Sequence, residues 1–250
     1  MTNTTVATEA GEIEAWLARP DGAGGEFPGV LLYMDAIGLR PQIRQMADRI
    51  ASWGYTVLAP NTFHRSGSAD ETSPHEDLRE PGARERFFAG AVPRMNALTS
   101  DLSRSDTAAY LDALKSADGV VDGPVGVVGY CMGVRLALRA AGDHPDSVAA
   151  VGGFHGGGLV TDDADSPHLW LGSAKAHLLL RHADQDRSMT PEQMDVLADA
   201  ARAAGLDFDQ DVYRGAPHGY SMADTSMYDP QAAERHFEEL RAHFAAHLTP

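Results

Sequence analysis

The chain contains a single cysteine, Cys131, in the stretch Gly129-Tyr130-Cys131-Met132-Gly133. An apolar run without helical period, 125–128, precedes it and a run of helix formers follows, which reads as strand, sharp turn and helix. A nucleophile at the apex of such a turn holds a strained backbone, so the residues two before and two after it must be small, as Gly129 and Gly133 are. The thiol then stands over the start of a helix, where free N–H groups lower a thiol pKa and stabilise an oxyanion. The competing reading is a buried structural thiol, since free cysteine is among the most buried residue types. The flanking glycines and the residues downstream favour the reactive one.

Two further residues stand where such a thiol would need them. His218 lies in Gly215-Ala-Pro-His218-Gly219 after the last strand, and Asp186 follows an earlier strand. In an open parallel sheet the carboxyl ends of the strands gather at one edge, so the three residues are expected to meet there. The order nucleophile, acid, base is that of the α/β-hydrolases. In this reading His218 takes the Cys131 proton and Asp186 fixes the imidazole tautomer. Asp184 is the rival acid; Asp186 is preferred because Met189 and Thr190 follow it as a turn into the next helix would. The backbone N–H groups of Met132 and Ala36 are the candidate oxyanion hole. His155, His168, His177 and His182 crowd one region, but none of these pairs has the i, i+4 spacing of a zinc helix, so neither metal nor cofactor is expected.

The elements that would position these residues alternate. Residues 4–8 and 13–18 read as a hairpin, and 20–28 as a glycine-rich connection. Strands are expected at 29–33, 55–59, 125–128, 147–151, 177–181 and 207–213. Helices are expected at 41–52, 106–116, after Gly133, from Thr190 to Gly205, and from Pro230 to about 247 with Asp229 as cap. The pattern predicts one α/β domain over 1–250: a mostly parallel, doubly wound sheet flanked by helices, with an antiparallel N-terminal hairpin. Residues 61–100 carry His64, His75, Arg79, Arg84, Arg86, Phe87 and Phe88 without clear period, and read as a partly helical lid beside the site.

Composition narrows the class further. A net charge of −16 argues against nucleic acid or an anionic membrane as partner. One cysteine excludes an internal disulfide and suits a reducing compartment. No basic, apolar leader and no run of about 18 apolar residues is present, so a cytoplasmic monomer or homodimer is expected.

The sequence resembles the dienelactone hydrolase family of α/β-hydrolases, from about Gly29 to the last helix. The likeness rests on Gly29-Val-Leu-Leu-Tyr-Met-Asp-Ala-Ile-Gly38, Gly54-Tyr-Thr-Val-Leu-Ala-Pro60, Gly126-Val-Val-Gly-Tyr-Cys-Met-Gly133, Asp186-Arg-Ser-Met189 and Tyr213-Arg-Gly-Ala-Pro-His-Gly219. It implies a cysteine hydrolase that opens enol-lactone rings with Cys131, Asp186 and His218 as triad. Family prototypes carry a glutamate that accepts the cysteine proton and swings away on substrate binding; the corresponding residue here is Asp35, one methylene shorter. Prototypes also place a carboxylate-binding arginine four residues after the catalytic histidine, where this chain has Met222. Arg84 or Arg86 then supplies any cationic contact to substrate, with His155, Tyr220 and Met222 as candidate pocket residues.

A thiolate nucleophile constrains the substrate. A tetrahedral intermediate expels its weaker base, and a thiolate, with thiol pKa near ~8.5, is far less basic than an alkoxide. Activated esters or lactones, whose leaving oxygen becomes an enolate or phenolate, are therefore expected over alkyl esters. The alternatives are an acyl transferase or cyclase on the same triad, and a non-catalytic binding module of this fold.

Overall fold

The computed structural model describes residues 2–22 and 24–248. Thr2–Thr8 (β1) and Gly11–Ala18 (β2) form an antiparallel hairpin whose alternating burial marks one covered face. Gly29–Tyr33 (β3) and Thr56–Pro60 (β4), by contrast, are buried at every position, as strands covered on both faces must be. The helix Pro41–Ala51 (α1) joins them, turning Ile43, Met46, Ala47 and Ile50 inward at helical spacing.

Val125–Tyr130 (β5), Val148–Phe154 (β6), His177–Ala183 (β7) and Phe208–Tyr213 (β8) extend the sheet in parallel. The eight strands run in the order β1-β2-β4-β3-β5-β6-β7-β8, with only the first two pairings antiparallel. β5 lies between β3 and β6, so the residue that follows it emerges at the middle of the carboxyl edge.

Ala83–Ala97 (α2), Ser100–Lys115 (α3), Gly133–Asp143 (α4), Pro191–Ala203 (α5) and Pro230–His247 (α6) complete the layers. α1 and α6 share one face, where Trp53 meets Phe237 edge-on at 6.0 Å. α3 and α4 adjoin on the other, tied by Arg104 to Asp143 at 3.0 Å.

Three local expectations change. α3 begins at Ser100 rather than 106, because Thr99 caps it by accepting from the Leu102 N–H and its first turns are polar. Within 61–100 the helical part is α2, which holds Gly90 and the interior Pro93 and so shows no apolar period. A 3₁₀ helix, Pro167–Ser173, was not expected and packs beside α4 and α5. The cap of α5 is as expected: Gln193 Oε1 accepts from the Thr190 N–H at 2.8 Å and Thr190 Oγ1 from the Gln193 N–H at 3.4 Å, which fixes the helix directly after the Asp186 loop. Among the described residues no helix is long and apolar enough to cross a membrane.

Candidate active site

The turn from β5 into α4 is as tight as its glycines imply. Cys131 has φ +54°, a left-handed conformation that costs a side-chain-bearing residue energy, and its N–H donates to the Phe154 carbonyl at 3.1 Å. Gly133 is pressed against β3, where a Cβ would lie 2.6 Å from the carbonyl oxygens of both Tyr33 and Met34. A Cβ on Gly129 would overlap the Gly133 carbonyl in turn.

From this apex the thiol, partly exposed, meets the imidazole. Cys131 Sγ lies 3.1 Å from His218 Nε2, and His218 Nδ1 lies 2.6 Å from Asp186 Oδ2. The other carboxylate oxygen, Oδ1, accepts from Ser188 N–H at 2.8 Å and Ser188 Oγ at 2.6 Å, so the acid is held at both ends. Asp184 turns elsewhere: its Oδ2 accepts from the Gly215 N–H at 2.9 Å, tying down the turn that carries His218. The geometry thus separates the two candidate acids, placing Asp186 on the imidazole.

Electrostatics in this chain favour the charged pair. Burial pushes the Cys131 thiol up, but the charge and hydrogen bond of His218 outweigh it and leave the thiol below its ordinary value. For His218, burial acts downward and is overcome by Cys131 and Asp186, which raise the imidazole to about 10. Asp186, pushed up by burial, is brought below the usual carboxylate range by His218 and Ser188.

Ala36, in the loop after β3, donates its N–H to no acceptor among the described residues, and the Met132 N–H opens α4 beside the sulfur. The Met132 N–H acts on the sulfur and helps lower the thiol's pKa. A cleft of about 490 Å³ opens beside Met132, walled by Met95, Leu98, Leu136 and Gly158 among others. A larger one, about 650 Å³, runs past Arg40 and Asp224; neither cleft is lined by Cys131, Asp186 or His218 themselves.

Several substrate-side expectations are corrected. His155 is fully buried at φ +40°, its Nε2 2.7 Å from Ser221 Oγ and its ring edge-on to His218 and Tyr220, so it supports the imidazole from behind and lines no open pocket. Tyr220 is also fully buried and donates its hydroxyl to the Arg181 carbonyl at 3.1 Å. Met222 is buried against Arg40, its sulfur 3.4 Å from Nη2. Arg86 points outward to Glu76 at 2.8 Å; Arg84, by contrast, lies over the Phe88 ring at 4.7 Å with its charge reaching His155, and its expected role is not overturned. Asp35 sits beside the elbow, but its carboxylate is gripped by Arg40 through Nη1 at 2.6 Å and Nη2 at 3.1 Å.

Three residues that the sequence reading passed over belong to this region: Ser188, Arg40 and Arg94. Arg94, on α2, is half-buried between the rings of Phe63 and Phe87, each 5.0 Å from its guanidinium carbon. Among the described residues its one acceptor is the Ala36 carbonyl, at 3.5 Å from Nη2, and its Nε is buried without a partner. Burial lowers its pKa with no carboxylate to offset it. An Asp-x-Ser spacing was the only available signal for Ser188; nothing local marks the other two.

Metal ligands do come together elsewhere. Among the described residues, His177, Asp207 and His247 bring one ligand atom each within 4.8 Å of one another. They lie at the amino-terminal ends of β7 and β8 and the end of α6, the sheet edge opposite Cys131, so such an ion would take no part in the thiol's chemistry.

The profile of the dienelactone hydrolase family matches residues 13–248. The chain belongs to that family. Its hydrolase class and α/β-hydrolase architecture follow from that membership. A Yersinia pestis relative with a provisional carboxymethylenebutenolidase assignment is 25% identical over 252 residues, covering 98% of this chain and 87% of its own. Among solved structures, a provisionally assigned Klebsiella pneumoniae dienelactone hydrolase superposes with TM-score 0.81 at 21% identity, covering 98% of this chain and 97% of its own. The dienelactone hydrolase-like promiscuous phosphotriesterase P91, from metagenomic libraries, gives TM-score 0.74 at 22% identity over 98% of each chain. At these identities the structural likenesses speak to the fold.

Proposed function

We propose that this dienelactone hydrolase family member hydrolyses an activated ester or lactone through an acyl-thioester on Cys131. The hydrogen-bonded chain from Cys131 Sγ through His218 to Asp186 Oδ2 carries this reading. The thiol proton passes to His218 Nε2, and the thiolate adds to the carbonyl carbon while the Met132 and Ala36 amides take the oxyanion. Collapse expels the enolate or phenolate, which takes the proton from His218 Nε2 and leaves the imidazole neutral. His218 then removes a proton from water, which attacks the thioester and releases the acid and the thiolate. No cofactor enters these steps, and a reduced thiol suits a reducing, cytoplasmic setting.

Leaving-group basicity decides the scope. With a panel of matched acyl groups, aryl and enol esters are expected to turn over at least ~100-fold faster than ethyl esters, because the thiolate leaves in preference to an alkoxide. Rapid mixing should show one equivalent of phenol released before the steady state, with the acyl mass recovered on the Cys131 peptide. Equal rates on ethyl and aryl esters, with no adduct, would sink the proposal.

Arg94 is a cation placed for an acidic substrate, since among the described residues it pairs with no carboxylate and it adjoins the loop of Ala36. Arg94→Met is expected to raise KM about tenfold for panel members bearing a carboxylate, the loss of one charge-assisted contact. Neutral members should change less than about twofold. An equal effect on both would make Arg94 a lid-packing residue only.

A further inference from the structure

A buried arginine is locked between two carboxylates next to the nucleophile, and the triad chemistry above does not use it. Arg40 is 2% exposed. Its Nε and Nη2 bond Asp224 at 2.5 and 3.0 Å, its Nη1 and Nη2 bond Asp35 at 2.6 and 3.1 Å, and Nη1 also donates to the Gly38 carbonyl at 3.2 Å. Asp35 Oδ1 further accepts from the Ile37 N–H at 3.0 Å. Both oxygens of Asp35 are therefore spoken for, and neither is offered to the sulfur.

That matters because of where Asp35 lies. Gly133 packs onto the Tyr33 and Met34 carbonyls, which brings the next residue of that loop against the elbow. Asp35 stands near enough for its charge to act on the thiol, and it acts upward. An unclamped carboxylate there would either take the thiol proton or repel the thiolate. The remaining groups around the sulfur are His218, with Asp186 behind it, and the Met132 N–H; Arg94 on α2 reaches the Ala36 carbonyl, and His155, which also meets Ser221 and Tyr220 and feels the charge of Arg84, touches the triad through the His218 ring. The surplus negative charge of the cluster sits on Asp224, whose side chain is 35% exposed and faces the outer cleft.

We propose that Arg40 is an activating, positioning residue for Cys131: by holding Asp35 it leaves the resting site with a ready thiolate–imidazolium pair, formed before any substrate binds. This rests on Cys131 being the nucleophile. The thiol proton resides on His218 Nε2, and substrate binding need not displace a carboxylate to start the reaction. Arg40 itself has no donor left for a substrate carboxylate, and Met222 is occupied in packing on it.

The test is the pH profile of Cys131 alkylation by iodoacetamide, which reads the thiolate without reference to ester turnover. The wild-type protein is expected to alkylate rapidly well below ~8.5, the ordinary thiol value. Arg40→Gln should move the midpoint up by about one pH unit or more, leaving roughly tenfold less thiolate at neutral pH. Arg40→Gln/Asp35→Asn should return it to within a few tenths of wild type. An unshifted single variant, or a double variant that stays shifted, would mean that Arg40 only staples the loops together and would overturn the inference. If Arg40→Gln does not fold, Asp35→Asn decides. With Asp35 already paired to Arg40 and its upward pull on the thiol thereby weakened, its removal should shift the midpoint by less than about half a unit, and a fall of more than about one unit overturns the inference. Failure of the nucleophile reading looks different: aryl-ester turnover would then survive in Cys131→Ala whatever the alkylation profile.

Discussion

Cys131→Ala is expected to lower aryl-ester turnover by at least ~10⁴-fold while leaving the urea midpoint nearly unchanged. The size follows from the site acting as a unit: removing the nucleophile of a triad costs about as much as removing all of it, and what survives comes from the oxyanion hole and substrate binding. Stability should hold because alanine and cysteine pay the same backbone cost at φ +54° and the lost sulfur is only partly buried. The variant also has a signature that a structural thiol would not give. His218 is raised to about 10, with the Cys131 charge the largest of the influences acting upward, so its imidazole titration should fall well below that value in Cys131→Ala. Histidine NMR reads this directly. Full turnover, or a His218 titration unmoved by the substitution, would remove Cys131 from the chemistry.

The second large effect is steric. Gly133→Ala places a methyl group 2.6 Å from two backbone carbonyl oxygens, those of Tyr33 at the end of the central strand β3 and of Met34 just after it, and neither oxygen is on a flexible side chain that could move aside. The elbow and the strand would have to separate, at a cost of at least ~3 kcal/mol, so the variant should lose most of its denaturant resistance or fail to accumulate as folded protein. Gly172→Ala is the matched control, since a Cβ there meets nothing within 4 Å. Similar urea midpoints for the two variants would show that the elbow is looser than its packing implies.

The residues differ in how plainly the sequence announced them. β3 and β4 are uninterrupted apolar runs, and the elbow is punctuated by glycines whose spacing has a steric reason, so fold and nucleophile could be read together. Asp186 and His218 followed from topology, because parallel strands deliver their carboxyl ends to one edge. The start of α3 was hidden by Asp101, Ser103, Arg104 and Ser105, which carry no apolar period, and α2 by Gly90 and Pro93. Arg40 was illegible for a different reason. It sits five residues from Asp35 but 184 from Asp224, and only the folded chain brings the second carboxylate to it. Arg94 likewise looks like any surface arginine until Phe63 and Phe87 are seen to enclose it without an anion. His155, Tyr220 and Met222 lie close to the active edge in sequence terms, yet each turns inward to pack.

The partly exposed Cys131 beside an imidazolium has a liability as well as a use. A thiolate of this kind is the preferred target of peroxide, which would convert it to a sulfenic acid. With one cysteine in the chain, no neighbouring thiol can trap that species as a protective disulfide. Rescue then falls to an outside reductant such as glutathione, and a second oxidation, to the sulfinic acid, would silence the molecule for good.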